Sequence, residues 1–237
     1  MLKEFAQYLV SLKDNKIYNI NGETYSDNEL ERIAPYTPRP KEISVSSLDS
    51  VVKLVRAEGK KLCAPIFIRI DSPTGISVFS VLDSDMKRDK LLNAVCDLPS
   101  FREGWREHDK AVIELRSKFV PNEDVDYLLD LLSRMNIENG VTTQDNGVTQ
   151  QVEARTGVSL KSMVGIRPRV SLAPYRTFRE ITQPTSDFLL RVDKDGQIGL
   201  FEADGGMWTI TAKESILEYL EDHLADEVAT GEVIIMV

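Results

Sequence analysis

One short stretch of the chain concentrates cationic and aromatic side chains that together could bind an anion. Its members are Arg167, Arg169, Tyr175, Arg176, Phe178 and Arg179. Guanidinium groups bind phosphate through paired hydrogen bonds and aromatic rings stack on bases, so the stretch could hold a phosphate or a nucleic-acid strand. The alternative is that these arginines pair with carboxylates of this chain or of a neighbouring subunit. The formal net charge of -9 favours that alternative.

His108 is the one histidine whose setting suggests acid-base chemistry, because Asp109 follows it directly. No partner nucleophile can be identified for it. The sequence contains no GxSxG elbow, Walker-type phosphate loop, HExxH motif or dinucleotide fingerprint. A structural role for His108 is therefore favoured, and we predict a non-enzymatic protein with no catalytic residue and no cofactor.

Acidic residues in two patterns could bind a cation. Residues 191–202 align with a calcium-binding EF-hand loop, but the first ligand position is Arg191, whose positive charge would repel the metal. The Asp195-Gly196 pair instead predicts the turn of a β-hairpin. Two acidic pairs that fit strand ends or turns are Asp83/Asp85 and Glu202/Asp204. We therefore predict no metal site.

Both ends of the chain are apolar enough to need covering. Apolar residues at helical spacing predict an amphipathic helix that ends around Asp14 and carries Phe5 and Leu9. The last five residues are apolar and favour a β-strand, which promotes aggregation when it is uncovered; they are Val233, Ile234, Ile235, Met236 and Val237. This strand could insert into the chain's own sheet or contact another copy of the chain.

Prolines suggest one internal boundary. Pro35, Pro38 and Pro40 lie close together, and because proline lacks a backbone donor and fixes φ, we expect an extended linker there. Residues 1–40 are predicted to form a helical arm, a hairpin turned at Asn21-Gly22, and this linker. Residues 41–237 are predicted to form the core domain.

The core domain alternates between helical and strand periodicity, which predicts an α+β fold of antiparallel sheets with packed helices and a C-terminal strand. Ser47 and Asn122 are predicted to cap two helices, and a third helix is predicted from about Ala212 to Asp226. The predicted strands are residues 66–70, 76–82, 111–115, 175–181, 188–192, 198–202 and 208–211. Residues 136–150 are expected to form an exposed excursion.

The composition favours a cytoplasmic protein with no membrane partner. The N-terminus lacks the long apolar run of a secretory signal, and no segment approaches the roughly 20 apolar residues that span a bilayer. Cys63 and Cys96 lie far apart, as is typical of unpaired thiols in a reducing compartment. The acidic balance disfavours nucleic acid as a partner unless a local basic face overcomes it.

The last third of the chain also carries a family pattern. It comprises Pro174-Tyr175-Arg176-Thr177-Phe178-Arg179-Glu180, then Gln183-Pro184, then Leu200-Phe201-Glu202-Ala203-Asp204-Gly205-Gly206 with Trp208. Together these residues resemble the YfdQ-like family of phage and prophage proteins, a group of unknown function. The resemblance extends more weakly to residues 101–108 and would cover most of the chain. It implies a phage or prophage gene product in the bacterial cytoplasm, and it carries over no catalytic residue.

From these features we predict a phage or prophage protein that self-associates into a homo-oligomer, such as a closed ring or shell, through its terminal segments. The alternative is an accessory protein of phage nucleic-acid metabolism that binds a strand or nucleotide through residues 167–179. A hydrolase that uses His108 is the third hypothesis.

Overall fold

The computed structural model describes residues 2–11, 16–26, 39–59, 65–98, 101–135, 143–145, 147, 149–155 and 161–237. The chain divides into two units, residues 1–40 and residues 41–237. Helices and antiparallel or mixed sheets both contribute to the structure, so the fold is α+β, as predicted.

The described residues form six helices and fourteen strands, numbered in chain order. The helices are α1 (Leu2–Ser11), α2 (Leu48–Glu58), α3 (His108–Lys118), α4 (Glu123–Arg134), α5 (Trp208–His223) and α6 (Ala225–Ala229). The strands are β1 (Ile17–Ile20), β2 (Glu23–Ser26), β3 (Ile43–Val45), β4 (Ile66–Ser72), β5 (Gly75–Phe79), β6 (Lys90–Val95), β7 (Gly104–Arg106), β8 (Thr143–Asp145), β9 (Gln150–Arg155), β10 (Lys161–Ile166), β11 (Arg169–Leu172), β12 (Ser186–Val192), β13 (Ile198–Glu202) and β14 (Val233–Met236).

The N-terminal unit contains α1 and a single hairpin in its described part. Strands β1 and β2 pair antiparallel, with Ile20 opposite Glu23 at the turn. Asn21 and Gly22 have φ angles of 55° and 85°, the left-handed values that a two-residue type I′ turn requires. The predicted hairpin is therefore confirmed, whereas most of the predicted proline linker lies outside the described residues.

A five-stranded sheet organises the first core of the second unit. Its strand order is β14-β4-β5-β6-β3, with antiparallel pairing in the centre and a parallel strand at each edge. Period-two alternation in β4 buries Ile66, Ile68 and Ile70. These side chains pack with buried residues of α2 and α5. The predicted Ser47 cap of α2 is present, because the Ser47 hydroxyl accepts a hydrogen bond from the Ser50 N–H at 3.3 Å.

A four-stranded antiparallel sheet organises the second core. Its strand order is β11-β12-β13-β7, and α3 and α4 contribute to the core on its inner face. The predicted cap of α4 is confirmed, since the Asn122 side-chain oxygen accepts from the Val125 N–H at 2.8 Å. A smaller sheet of order β10-β9-β8 lies beside it, and Gln150 joins the two by hydrogen bonds with both backbone groups of Val192.

Residues 173–185 connect the two cores. This irregular segment links two strands of the second core, β11 and β12, yet Phe178 and Ile181 are buried in the first core. The Thr177 hydroxyl also donates to the Pro73 carbonyl, 2.6 Å away, in the β4–β5 turn. The segment therefore holds one core against the other.

Three predicted strands are wrong. Residues 111–115 belong to α3, in which Ala111 and Leu115 are buried one helical turn apart while Ile113 is 65% exposed. Residues 175–181 form the irregular connection, and residues 208–211 form the first turn of α5. In each case the apolar run is too short for its period to distinguish a strand from another conformation.

Candidate functional site

The N-terminal unit exposes large apolar side chains. None of residues 3–8 and 16–26 is buried. The exposed members lie on α1 and on both faces of the β1–β2 hairpin, and we refer to them together as the N-terminal apolar surface; they are Phe5, Tyr8, Ile17, Tyr18 and Ile20. The side chain of Leu9, which we predicted to share this contact, lies outside the described residues.

The C-terminal strand is covered on one side only. β14 pairs parallel with β4, with Val233 opposite Ile66, so its backbone inserts into the chain's own sheet. Val233 is buried and Ile235 packs against the first core, whereas Ile234, Met236 and Val237 remain exposed. No other described strand pairs with the outer edge of β14.

The exposed residues of β14 lie beside two half-buried phenylalanine rings on the outer face of the five-stranded sheet. Ile234 lies opposite Phe67, which in turn lies opposite Phe79. Met236 lines a groove with these two rings and with Arg69 and Arg88, whose guanidinium carbons lie 5.1 and 4.2 Å from the Phe79 and Phe67 ring centroids. We call Phe67, Phe79, Ile234 and Met236 the C-terminal patch.

The predicted anion-binding residues are distributed over several environments. Phe178 is fully buried, and Arg176 is 8% exposed. Arg167 pairs with Asp124 at 2.9 Å and lies over the Tyr127 ring. Arg169 is exposed at the start of β11, and Arg179 and Tyr175 line a separate cleft. The structure therefore does not bring the six residues into one site.

Arg176 is the one charged residue among the buried residues of the described chain. One guanidinium nitrogen, Nη1, donates to Glu202 Oε1 at 2.5 Å, and Nη2 donates to the Pro184 carbonyl at 3.2 Å and to the Ser186 hydroxyl. The guanidinium carbon lies 4.0 Å from the centroid of the Trp208 ring. Its Nε atom is buried with no hydrogen-bond partner among the described residues. These contacts join residues 173–185 to β12, β13 and α5, which is a structural role.

The acidic partners of Arg176 are organised by hydrogen bonds. Asp204 accepts from the Ser186 hydroxyl at 2.5 Å and from the N–H groups of Gly206 and Trp208 at 3.0 and 3.3 Å. Burial acts to raise the pKa of Asp204, but these hydrogen bonds and the Arg176 charge hold the pKa below its ordinary value. Burial lowers the pKa of Arg176, and Glu202 and Asp204 oppose that shift. The Glu202 and Asp204 carboxylates therefore balance the charge of the buried Arg176 guanidinium.

A cleft of about 680 Å³ opens beside this cluster. Its polar lining includes Asn122, Tyr175, Arg179 and Thr182. Gln183 shapes one wall, since its side chain accepts from the N–H groups of Arg176 and Thr177 and donates to the Phe178 carbonyl. None of the described lining residues is a carboxylate, histidine or cysteine, so the cleft holds no acid-base pair or activated nucleophile among them.

His108, the first residue of α3, contacts the backbone of α4. Its Nε2 atom lies 3.0 Å from the Leu132 carbonyl in α4, and its Nδ1 atom lies 3.0 Å from Asp109 Oδ1. Both ring nitrogens therefore have partners from the fold. This geometry supports the structural interpretation of His108 and provides no nucleophile for it to activate.

The other acidic patterns form turns. Asp193 Oδ1 accepts from the N–H groups of Asp195 and Gln197, and Gly196 has a φ of 77°, which closes the β12–β13 hairpin. Asp83 Oδ1 accepts in the same way from the N–H groups of Asp85 and Lys87. Among the described residues no group of three or more His, Cys, Asp or Glu side chains is placed to hold a metal ion.

Sequence reasoning missed the partners of Arg176. Gln183, Ser186, Asp204 and Trp208 lie on four different segments, and each is an ordinary turn or strand residue when read locally. The available signals were the density of polar residues and prolines in residues 174–186 and the family pattern that groups Arg176 with Gln183, Asp204 and Trp208. Contacts between distant segments leave no periodic trace in the sequence.

Cys96 is free and half-buried, and desolvation raises its pKa to about 11. Cys63 lies outside the described residues. Across the part of the chain that the structure describes, no helix has the length and apolar character needed to cross a membrane.

Comparisons with protein-family models, with curated proteins and with solved structures find no match for this chain.

Proposed function

We propose that this chain is a non-enzymatic phage or prophage protein that self-associates into a homo-oligomer in the bacterial cytoplasm. The N-terminal apolar surface carries the proposal, and the C-terminal patch supplies a second contact. The phage setting is supported by the sequence resemblance to the YfdQ-like family. The non-enzymatic assignment is supported by the structural bonding of His108 and by the lining of the Tyr175 cleft.

The described part of the N-terminal unit is too small and too exposed to be stable alone. An isolated helix shorter than about 12 residues is marginal in water, and so is an isolated two-stranded hairpin. Segments below about 40 residues usually need a disulfide, a metal or association with another chain. Because residues 3–8 and 16–26 include no buried side chain, burial against another molecule would supply the missing stabilisation.

A second copy of the same chain is the partner that we favour. The C-terminal patch presents exposed Ile234 and Met236 beside Phe67 and Phe79, so both units of each copy carry exposed apolar side chains. A chain with two contact surfaces can bind two neighbours, which is the requirement for a closed ring. The unpaired outer edge of β14 adds backbone groups that a neighbouring strand could satisfy.

Light scattering coupled to size exclusion tests the proposal on single variants. Phe5→Asp places a charge on the N-terminal apolar surface, and Ile234→Asp places one on the C-terminal patch. Each variant is expected to lower the molar mass, because a buried unpaired charge opposes association.

Ile113→Asp is the matched control. Ile113 is 65% exposed on α3 and Phe5 is 62% exposed on α1, so the two changes are alike except for their surface. We expect Ile113→Asp to retain the mass of the unmodified protein. Equal loss of mass in Phe5→Asp and the control, or no loss in either terminal variant, would remove the proposed surfaces.

A further inference from the structure

The outer face of the four-stranded sheet carries two aromatic and two cationic side chains in register. Arg191, Gly199 and Trp105 are consecutive partners across β12, β13 and β7. Arg169, Leu189 and Phe201 are consecutive partners across β11, β12 and β13. The opposite face of the same strands is buried in the second core. We call these six positions the outer face.

The aromatic side of the outer face is built around a glycine. The Trp105 and Phe201 ring centroids lie 5.7 Å apart in an edge-to-face arrangement. A Cβ atom on Gly199 would lie 2.7 Å from a Phe201 ring carbon and 3.0 Å from two Trp105 ring carbons. Glycine weakens a strand, and its presence here lets both rings lie close to the backbone. Trp105 nevertheless remains 45% exposed.

The cationic side of the outer face lacks carboxylate partners. Neither Arg169 nor Arg191 forms an ion pair with a described residue. Among the described residues, Arg191 makes long hydrogen bonds to the carbonyls of Leu190 and Gly147, at 3.4 and 3.3 Å. Both arginines line a groove of about 440 Å³. Arg167, which also lines the groove, is by contrast paired with Asp124.

The distance between the arginines and the aromatic rings of the outer face is compatible with binding the phosphate and the base of one nucleotide. Neighbouring strands are about 4.8 Å apart, so each arginine backbone lies about 10 Å from the aromatic residue of its row. Because an arginine side chain extends several ångströms, its guanidinium can reach the phosphate of a nucleotide whose base stacks on the ring. Asp187 is exposed on the same face, one row further along β12, and its charge would repel a phosphate there. The site is therefore short.

We propose that the outer face binds single-stranded nucleic acid, with bases stacking on Trp105 and Phe201 and phosphates held by Arg169 and Arg191. A duplex conceals the faces of its bases, and inorganic phosphate would make no use of the rings, so a single strand is the ligand that matches both halves of the face. The long-range field of a chain with net charge -9 opposes binding by charge alone, which gives the stacking contacts a large share of the affinity.

Fluorescence anisotropy of a labelled deoxythymidine oligomer with the full chain tests this inference at low salt. Trp105→Ala is expected to weaken binding by about five- to 150-fold, the range measured for loss of one stacked base, and Trp105→Phe should retain most of the affinity. Arg169→Glu and Arg191→Glu should each weaken binding and reduce its salt dependence.

Arg179→Glu is the matched control, because Arg179 is also exposed but lines the Tyr175 cleft. It is expected to leave the affinity for the oligomer within about twofold, as a charge change outside a short site should. Since Arg169 is exposed, its charge reversal tests the face even if Trp105→Ala fails to fold. The inference is overturned if the oligomer does not bind, if a duplex of the same length binds equally well, or if Arg179→Glu weakens binding as much as Arg169→Glu.

Discussion

Phe5 of the N-terminal unit and two phenylalanines of the second unit, Phe178 and Phe188, lie in opposite environments. In the second unit Phe178 and Phe188 are fully buried, one in each core. In the N-terminal unit Phe5 is 62% exposed, and Ile17 at the start of β1 is 66% exposed. The buried rings of the second unit stabilise the fold, whereas Phe5 and Ile17 of the first remain available for contact with another chain.

The largest expected effect is on stability and distinguishes the buried phenylalanine from the exposed one. Phe188→Ala should lower the free energy of unfolding by about 3–5 kcal/mol, because it removes a buried ring and leaves a cavity. Phe5→Ala should change it by less than about 0.5 kcal/mol, as exposed substitutions do. Urea unfolding at a protein concentration low enough to keep the chain monomeric measures both. A large loss in Phe5→Ala would show that α1 is part of a closed fold.

An effect of intermediate size on stability is expected from comparing a buried arginine of the second unit with an exposed one. Arg176→Met should destabilise the protein by about 2–4 kcal/mol, since Glu202, Ser186 and the Pro184 carbonyl lose their shared donor. Arg179→Met should be nearly neutral, because Arg179 is exposed. Thermal unfolding of the two variants checks this, and equal stabilities would contradict the structural role of Arg176.

The smallest expected effect is on the stability of the protein at acidic pH. The pKa of Asp204 is lowered in the folded protein, so its contribution to stability is full above its ordinary pKa of 3.8 and is lost as the pH falls through the folded value. Asp204→Asn removes this titration. Between about pH 5 and pH 2 the unmodified protein should therefore lose more stability than the variant. Parallel acid titrations followed by tryptophan fluorescence measure the difference, and identical slopes would argue against the Asp204 bonds.

Local patterns predicted the elements whose signals lie within one segment. The Asn21-Gly22 turn, the Ser47 and Asn122 caps and the alternating isoleucines of β4 each depend on residues that are neighbours in sequence. The conformation of residues 175–181 depends instead on Gln183 and on burial of Phe178 in a core assembled from distant strands. A short apolar run carries no record of such contacts.

The functional surfaces were predictable to different degrees. The apolar character of residues 233–237 was visible in sequence, but its parallel pairing with β4 depends on a strand far away in the chain. Arg169 was among the predicted anion-binding residues, but the outer face as a whole could not be predicted, because Trp105, Phe201 and Arg169 become neighbours only through the register of three strand pairs. Gly199 was the one local sign, as a glycine between Ile198 and Leu200 in a strand.

The molar mass of the unmodified protein in solution tests the central claim most directly. One chain has a mass of 26.7 kDa. The exposed N-terminal apolar surface and C-terminal patch predict an integral multiple of that mass by light scattering at micromolar concentration, with a lower mass in Phe5→Asp. A mass of one chain across that concentration range would contradict the account.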